Sequence, residues 1–449
     1  MLIRSRREFL RDALRSVAAV GAVGAMSKFG EMNALAAGGG YQAMVCIYLA
    51  GGNDGHNTVI PIQTAMQNYG NYKTARQILA LPQAGLQTVN NGNDVYGLHP
   101  MLPEIQGLYN SGKAAVVANV GMLVKKIDRP SYLSNNSAIV PNALFSHSDQ
   151  QSQWQSSIPT GLGSTGWGGR LADAMQTVNA GAVYPSMTSL AGSSLFASGQ
   201  STFAASVTPS GVSLLSGMSN PAKYNGMQQL LTFDNGMQLV QAENGVLGRG
   251  AQYAKTLGGL LASAKINTVF PAGNSLAAQL QTVARIISVR APLGLSRQIF
   301  YCSLGGFDTH GDQLNIQNQL LPMLSQGVAA FYAATQELGV DQNVTTFTAS
   351  EFGRTLTPNS NLGTDHAWGS HHFVIGGGVL GGKFYGQYPS LALGGQDDAN
   401  TRGTLIPSTS VDQYGATLAK WFGVTDPVSL ATIFPNIGNF PVTNLGMLG

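Results

Sequence analysis

Charge is what this chain has least of. Only 10% of its 449 residues are Asp, Glu, Lys or Arg, against about 25% in average soluble domains. No Lys/Arg run occurs. The small basic excess, 24 Lys+Arg over 21 Asp+Glu, sits largely in the first 36 residues; discounting their six basic and three acidic residues leaves 18 of each sign. A neutral body without a basic patch gives no electrostatic reason to expect nucleic acid or an anionic membrane as partner. Cysteine is nearly absent: Cys46 and Cys302 make no disulfide framework, and both lie in apolar runs that read as buried free thiols. No apolar stretch is long enough to span a bilayer. GxSxG, Walker A, HExxH and CxxC patterns are missing, and Gly376-Gly377-Gly378 lacks the context of a dinucleotide fingerprint.

The N-terminus reads as an address. Ser5-Arg6-Arg7-Glu8-Phe9-Leu10 is a twin-arginine signature, Ser16 to Met26 is weakly apolar, and Ala34-Leu35-Ala36 is a small-residue cleavage site. Residues 1–36 are therefore expected to be a twin-arginine signal peptide, which implies a periplasmic or secreted protein that folds before transport. Residues 37–449 are expected to form a single domain, with an insertion or cap at about 180–290.

The expected class is α/β, a doubly wound, mostly parallel sheet flanked by helices. Met44–Ala50, Ala114–Asn119, Gln298–Leu304, Val344–Ala349 and His372–Ile375 are continuously apolar or β-branched, the pattern of strands buried on both faces. Between the third and fourth, a helical stripe runs from about Asn315 to Leu338, with Pro322 inside it. Strand, helix and strand make a βαβ unit, and ligands of such sheets collect beyond the carboxyl ends of the strands.

All seven histidines fall in short segments rich in Gly, Asp, Asn or Ser: GGNDGH (51–56), GLHP (97–100), FSHSD (145–149), GGFDTHGD (305–312) and GTDHAWGSHH (363–372). Imidazoles and acids gathered where strands end suit a metal or acid–base site. Asp54 follows the first strand in a Gly-rich segment that is either a turn or a place where a ligand nears the backbone. Asp308 and His310 point to one side of an extended segment and suit one cation, although either Asp308 or Asp312 would also cap the next helix. Glu351 ends a strand and either binds metal or pairs with Arg354. Asp365, His366, His371 and His372 form the densest cluster. Ser146 and His147 offer a nucleophile and an acid–base group, with Ser146 also fit to start a helix. His99 reads as structural.

VCIYLAGGNDGHN, FSHSDQQSQW, GWGGRLAD, GGFDTHGDQ, TASEFGRT and DHAWGSHHFVIGGGVLGGKFYG together resemble domain-of-unknown-function family 1501, from about residue 43 to 386. That family is considered a distant relative of the alkaline phosphatase superfamily, sulfatases included. The resemblance implies an alkaline phosphatase-like sheet bearing a two-metal site and a Ser, Thr or modified Cys nucleophile. Asp54, Asp308, His310, Glu351 and one of His371 and His372 match the ligand positions by place in the chain. The motifs also depart from the pattern. Asp308 and His310 are closer together than usual, and Glu351 lacks an adjacent histidine, which Asp365-His366 would supply.

The expected function is a metal-dependent hydrolase of phosphate or sulfate esters, acting on a small-molecule or polymer substrate. One or two divalent cations are expected, Zn²⁺ or Mn²⁺ ahead of Ca²⁺ or Mg²⁺. The competing expectation is a non-catalytic polymer-binding or assembly protein with a protein partner, in which Trp154, Trp167 and Trp368 offer ring faces to sugars.

Overall fold

The computed structural model describes residues 40–134, 136–211, 220–233 and 236–449. The expected signal peptide lies outside them. Six strands carry the main sheet: β1 (Gln42–Ala50), β2 (Ala114–Gly121), β3 (Met187–Ser189), β4 (Arg297–Gly305), β5 (Val344–Ala349) and β6 (Ser370–Gly376). Five helices bear on the core and the site: α1 (His147–Ser156), α2 (Gln238–Leu261), α3 (Ser275–Ser288), α4 (Gln313–Glu337) and α5 (Val411–Trp421). The strand order is β2-β6-β5-β1-β4-β3. Phe384–Tyr385 pairs outside β2, and Ala205–Ser206 outside β3. β1 lies parallel to both β4 and β5, whereas β6 is antiparallel to β5 and β2. This is the α/β class with a mostly parallel sheet that the apolar runs predict.

The runs are continuous because both faces are covered. Along β1, Val45, Ile47 and Leu49 enter one core with residues of α3 and α4, while Met44, Cys46 and Tyr48 enter another with residues of α5. Cys302 belongs to the first core and Cys46 to the second, so the sheet separates two buried, free thiols. The β4–α4–β5 crossover is present, with Pro322 inside α4. Its packed face differs from expectation near the start, where Gln313 and Gln317 are the buried residues. They turn inward because their amides meet polar partners there: Gln313 Nε2 donates to Asp54 Oδ2 at 2.5 Å, and Gln317 Oε1 accepts from Asn57 Nδ2 at 3.4 Å.

Within 180–290, β3 and Ala205–Ser206 extend the sheet, and α3 packs on α4 and β4. α2 is different: of its 24 residues only Leu257 and Leu261 are buried.

On the opposite face, Asp412 in the first turn of α5 is fully buried. Burial pushes its carboxyl up to about 7, against the opposing pull of Ser157, the Asn436 amide and Arg170. Below pH about 4 this group is neutral whether the chain is folded or unfolded. As pH rises from about 4 to 7 only the unfolded chain ionises freely, so the group withdraws up to about 4 kcal/mol of stability across that window. Asp412→Asn is expected to flatten this part of the stability–pH profile in urea unfolding. A variant whose profile matches wild type between pH 4 and 7 would exclude the effect.

Candidate functional site

Because β1, β4 and β5 run parallel, their carboxyl ends place Gly51, Asp308 and Glu351 at one edge. β6 runs the other way, so the loop that precedes it delivers residues 353–369 to the same edge. Gly51 N donates to Glu351 Oε1 at 2.8 Å, and Phe307 N donates to Ala50 O at 3.1 Å. Gly51 has φ +117°, and a Cβ there would overlap the Asp308 amide nitrogen. A Cβ at Gly363 would overlap the backbone of Thr309 and His310. Gly51 and Gly363 therefore admit neighbouring backbone; at Gly51 the sequence left a turn and an approaching ligand both open.

The centre is built from three segments. One ligand atom each from His147, Asp308 and His366 lie within 4.8 Å of one another. His147 Nε2 is 3.4 Å from Asp308 Oδ2 and makes no hydrogen bond; His366 Nε2 is 3.3 Å from Asp308 Oδ1. His310 joins from the side, its Nε2 3.2 Å from Asp308 Oδ1 and 2.8 Å from His366 Nε2. The other ring nitrogens have acceptors of their own. His147 Nδ1 is 3.0 Å from Glu351 Oε1, His310 Nδ1 is 3.3 Å from Asp365 Oδ1, and His366 Nδ1 is 2.7 Å from Phe145 O. An acceptor opposite Nδ1 favours the tautomer in which Nδ1–H donates to it, which leaves the Nε2 lone pair facing the centre. Phe145 has φ +72°, an uncommon conformation for a bulky residue, at the residue whose carbonyl holds His366.

Three imidazoles and one carboxylate, each ring anchored from behind, fit a first-row cation such as Zn²⁺. Facing lone pairs at 2.8 Å are held together only by a shared proton or a cation, and the unpartnered His147 Nε2 adds a further free donor to the set. Partial burial raises the Asp308 carboxyl, but the hydrogen bond and charge of Arg354, with His310 and His147, outweigh it and hold it at about 2. Burial together with Arg354 and His147 lowers His366, outweighing the Phe145 carbonyl and Asp308. Both groups are thus in the protonation state that a ligand needs at neutral pH. Asp308 and His147 side chains remain 47% and 36% exposed, which leaves the centre open to solvent.

Glu351 and Asp365 stand behind the imidazoles. Asp365 is also held by Arg402 at 2.6 Å. Glu351→Gln is therefore expected to weaken cation affinity about 10- to 100-fold with folding intact, measured by chelator competition. Unchanged affinity would remove Glu351 from the supporting shell.

Asp54, His371 and His372 are not brought to this group. Asp54 is buried against the Arg76 guanidinium and accepts from Gln313 and from the His56 and Asn57 amides, which consumes its oxygens. His371 Nδ1 accepts from Asn119 N at 3.0 Å and its ring stacks on Tyr388; His372 stacks on Tyr414. Burial keeps both neutral, with His372 lowered to about 3. Sequence reasoning missed Arg76, which carries no motif and is found only by its contact with Asp54. His99 is buried, as a structural residue would be. Trp154, Trp167 and Trp368 are also buried, so none presents a ring face to a polymer.

Ser146 stands at the N-cap position of α1, as expected, but its side chain makes no capping hydrogen bond. Its Oγ donates to Asp149 Oδ2 at 2.5 Å, which places a proton acceptor on a hydroxyl next to a residue of the centre.

No curated protein matches the chain. Among solved structures it is similar to Ps i-CgsB in complex with k-i-k-neocarrahexaose, at 9% identity and TM-score 0.35, covering 89% of this chain and 77% of that one. It is also similar to the lipoteichoic acid synthase LtaP from Listeria monocytogenes, at 8% identity and TM-score 0.31, covering 82% and 74%. A third is the phosphonate monoester hydrolase of Agrobacterium radiobacter, at 9% identity and TM-score 0.35, covering 84% and 73%. The sequence profile of the family described as "Protein of unknown function (DUF1501)" matches residues 41–406, and the chain belongs to that family.

Proposed function

We propose that the protein is a metal-dependent hydrolase of phosphate or sulfate esters, exported by its twin-arginine leader and working outside the cytoplasm. One observation carries the reading: three Nε2 atoms gather about the Asp308 carboxylate, each on a ring whose Nδ1 is anchored by a separate acceptor. His147, Asp308 and His366 hold one divalent cation, Zn²⁺ or Mn²⁺, with His310 as the fourth donor. When bound, the cation polarises the ester oxygens and offsets charge that develops in the displacement. Ser146 Oγ attacks the phosphorus or sulfur atom and passes its proton to Asp149, within hydrogen-bond reach; the bond to the ester's alcohol oxygen breaks, and the alcohol leaves with the proton that Asp149 took up. Water then attacks the esterified serine, the bond to Oγ breaks, phosphate or sulfate is released and Oγ regains its proton. Arg354 and Arg402 keep Asp308 and Asp365 ionised and in place.

Ser146→Ala separates this from its alternatives. Wild type is expected to hydrolyse at least one of an aryl phosphate, a phosphodiester and an aryl sulfate, and to lose this activity when chelated. Ser146→Ala is expected to bind metal normally and to lose about 10²-fold or more in turnover. Retained turnover would replace the serine with water as the attacking group. A wild type inert on every ester while holding one equivalent of metal would overturn the hydrolase reading.

A further inference from the structure

Outside the main sheet's edge, the strand Ala205–Ser206 and helix α2 border a cavity of about 320 Å³, within the range of about 300–1,000 Å³ of small-molecule pockets. It lies two strands beyond β4, on the far side from β1. Tyr184, Val207 and Leu257 line it and are each 4% exposed or less, forming its floor. Phe203 and Val246 line it while staying 68% and 52% exposed, which makes them its mouth. Tyr253 packs edge-on against Tyr184, with ring centroids 5.8 Å apart. Apart from Ser206 and the tyrosine hydroxyls, the remaining uncharged side chains of the lining are apolar.

One charged side chain reaches this wall. Arg249 is exposed and has no ion-pair or hydrogen-bond partner among the described residues. The next residue, Gly250, also lines the cavity, and a Cβ there would meet nothing within 4 Å. An apolar space of this size with open large apolar groups at its mouth marks a ligand site more readily than an idle surface. The floor is apolar apart from the Tyr184 hydroxyl, and the unpaired guanidinium selects an anionic head.

We infer that this cavity takes the hydrocarbon chain of a monomeric anionic amphiphile of the medium-chain carboxylate class, with the carboxylate on Arg249. The binding is independent of the metal centre and of the hydrolase reading. Burial of the chain drives it, so affinity grows with length until the cavity is full.

Calorimetric titration of the full chain with hexanoate, octanoate, decanoate and dodecanoate, each below its micelle threshold, tests this. The expected affinity rises about fourfold per added methylene over the part of the series that fits. Arg249→Gln is expected to weaken decanoate about tenfold or more and to leave 1-decanol unchanged. Gly250→Leu fills the space at a helical position and is expected to abolish binding of both with no loss of thermal midpoint. Equal affinity for hexanoate and dodecanoate, undiminished decanoate binding by Gly250→Leu, or binding to anionic vesicles without binding of the monomers would each overturn the assignment.

Discussion

Asp308→Asn is expected to lose cation and activity together while the protein stays folded. The substitution leaves shape and volume nearly unchanged but removes the one charged donor that all three imidazoles face. A cation that supplies several kcal/mol of transition-state stabilisation corresponds to a fall of about 10²- to 10⁴-fold in turnover. Folding should survive because Arg354, the buried partner of Asp308, also donates to the carbonyls of Gly51, Gly52 and Thr364. Its guanidinium is thus not stranded when the carboxylate goes. Elemental analysis of purified wild type and variant, beside their thermal midpoints, decides the matter. Wild-type metal content in Asp308→Asn would show that the imidazoles and Asp308 do not form one centre.

Gly51→Ala should damage the fold itself. The residue has φ +117°, and its added methyl would overlap the backbone nitrogen of Asp308 and press on Phe307. Backbone lies on both sides of the clash, so no side-chain rotation relieves it. A loss at the upper end of the usual range, about 3 kcal/mol or more, is expected in urea unfolding. Gly305→Ala is the matched control, since a Cβ there meets nothing within 4 Å. Equal destabilisation by the two would mean that β1 and β4 are not held this tightly at their ends. The same displacement would carry Asp308 away from His366, so metal retention should fall in the surviving folded fraction.

The sheet was legible because its chemistry is local. A strand buried on both faces must be apolar at every position, and the runs at 44–50, 298–304 and 344–349 say so without knowledge of their neighbours. α4 was legible for the same reason along its middle, where Leu324, Val328 and Phe331 pack as their spacing requires. Its first turn was not, since Gln313 and Gln317 are buried by partners on β1's following turn, more than 250 residues away. The candidate site shows the same division. Residue type marked Asp308, His310 and His366 as donors, but no spacing rule relates His147 to Glu351, 204 residues distant. His147 was thus expected beside the centre as an acid–base group, and the fold sets it among the donors. Asp54 failed to join for a complementary reason: an acid after a strand looks alike whether it faces a cation or a guanidinium, and Arg76 decides which.

Placing Cys46 and Cys302 on opposite sides of the main sheet bears on how the folded protein meets an oxidant. The sheet's own backbone stands between the two sulfurs, and these are the chain's only cysteines. No disulfide belongs to the native state, and once the chain is folded the two sulfurs cannot be joined within one molecule. The folded protein should therefore keep the same structure under reducing and oxidising conditions.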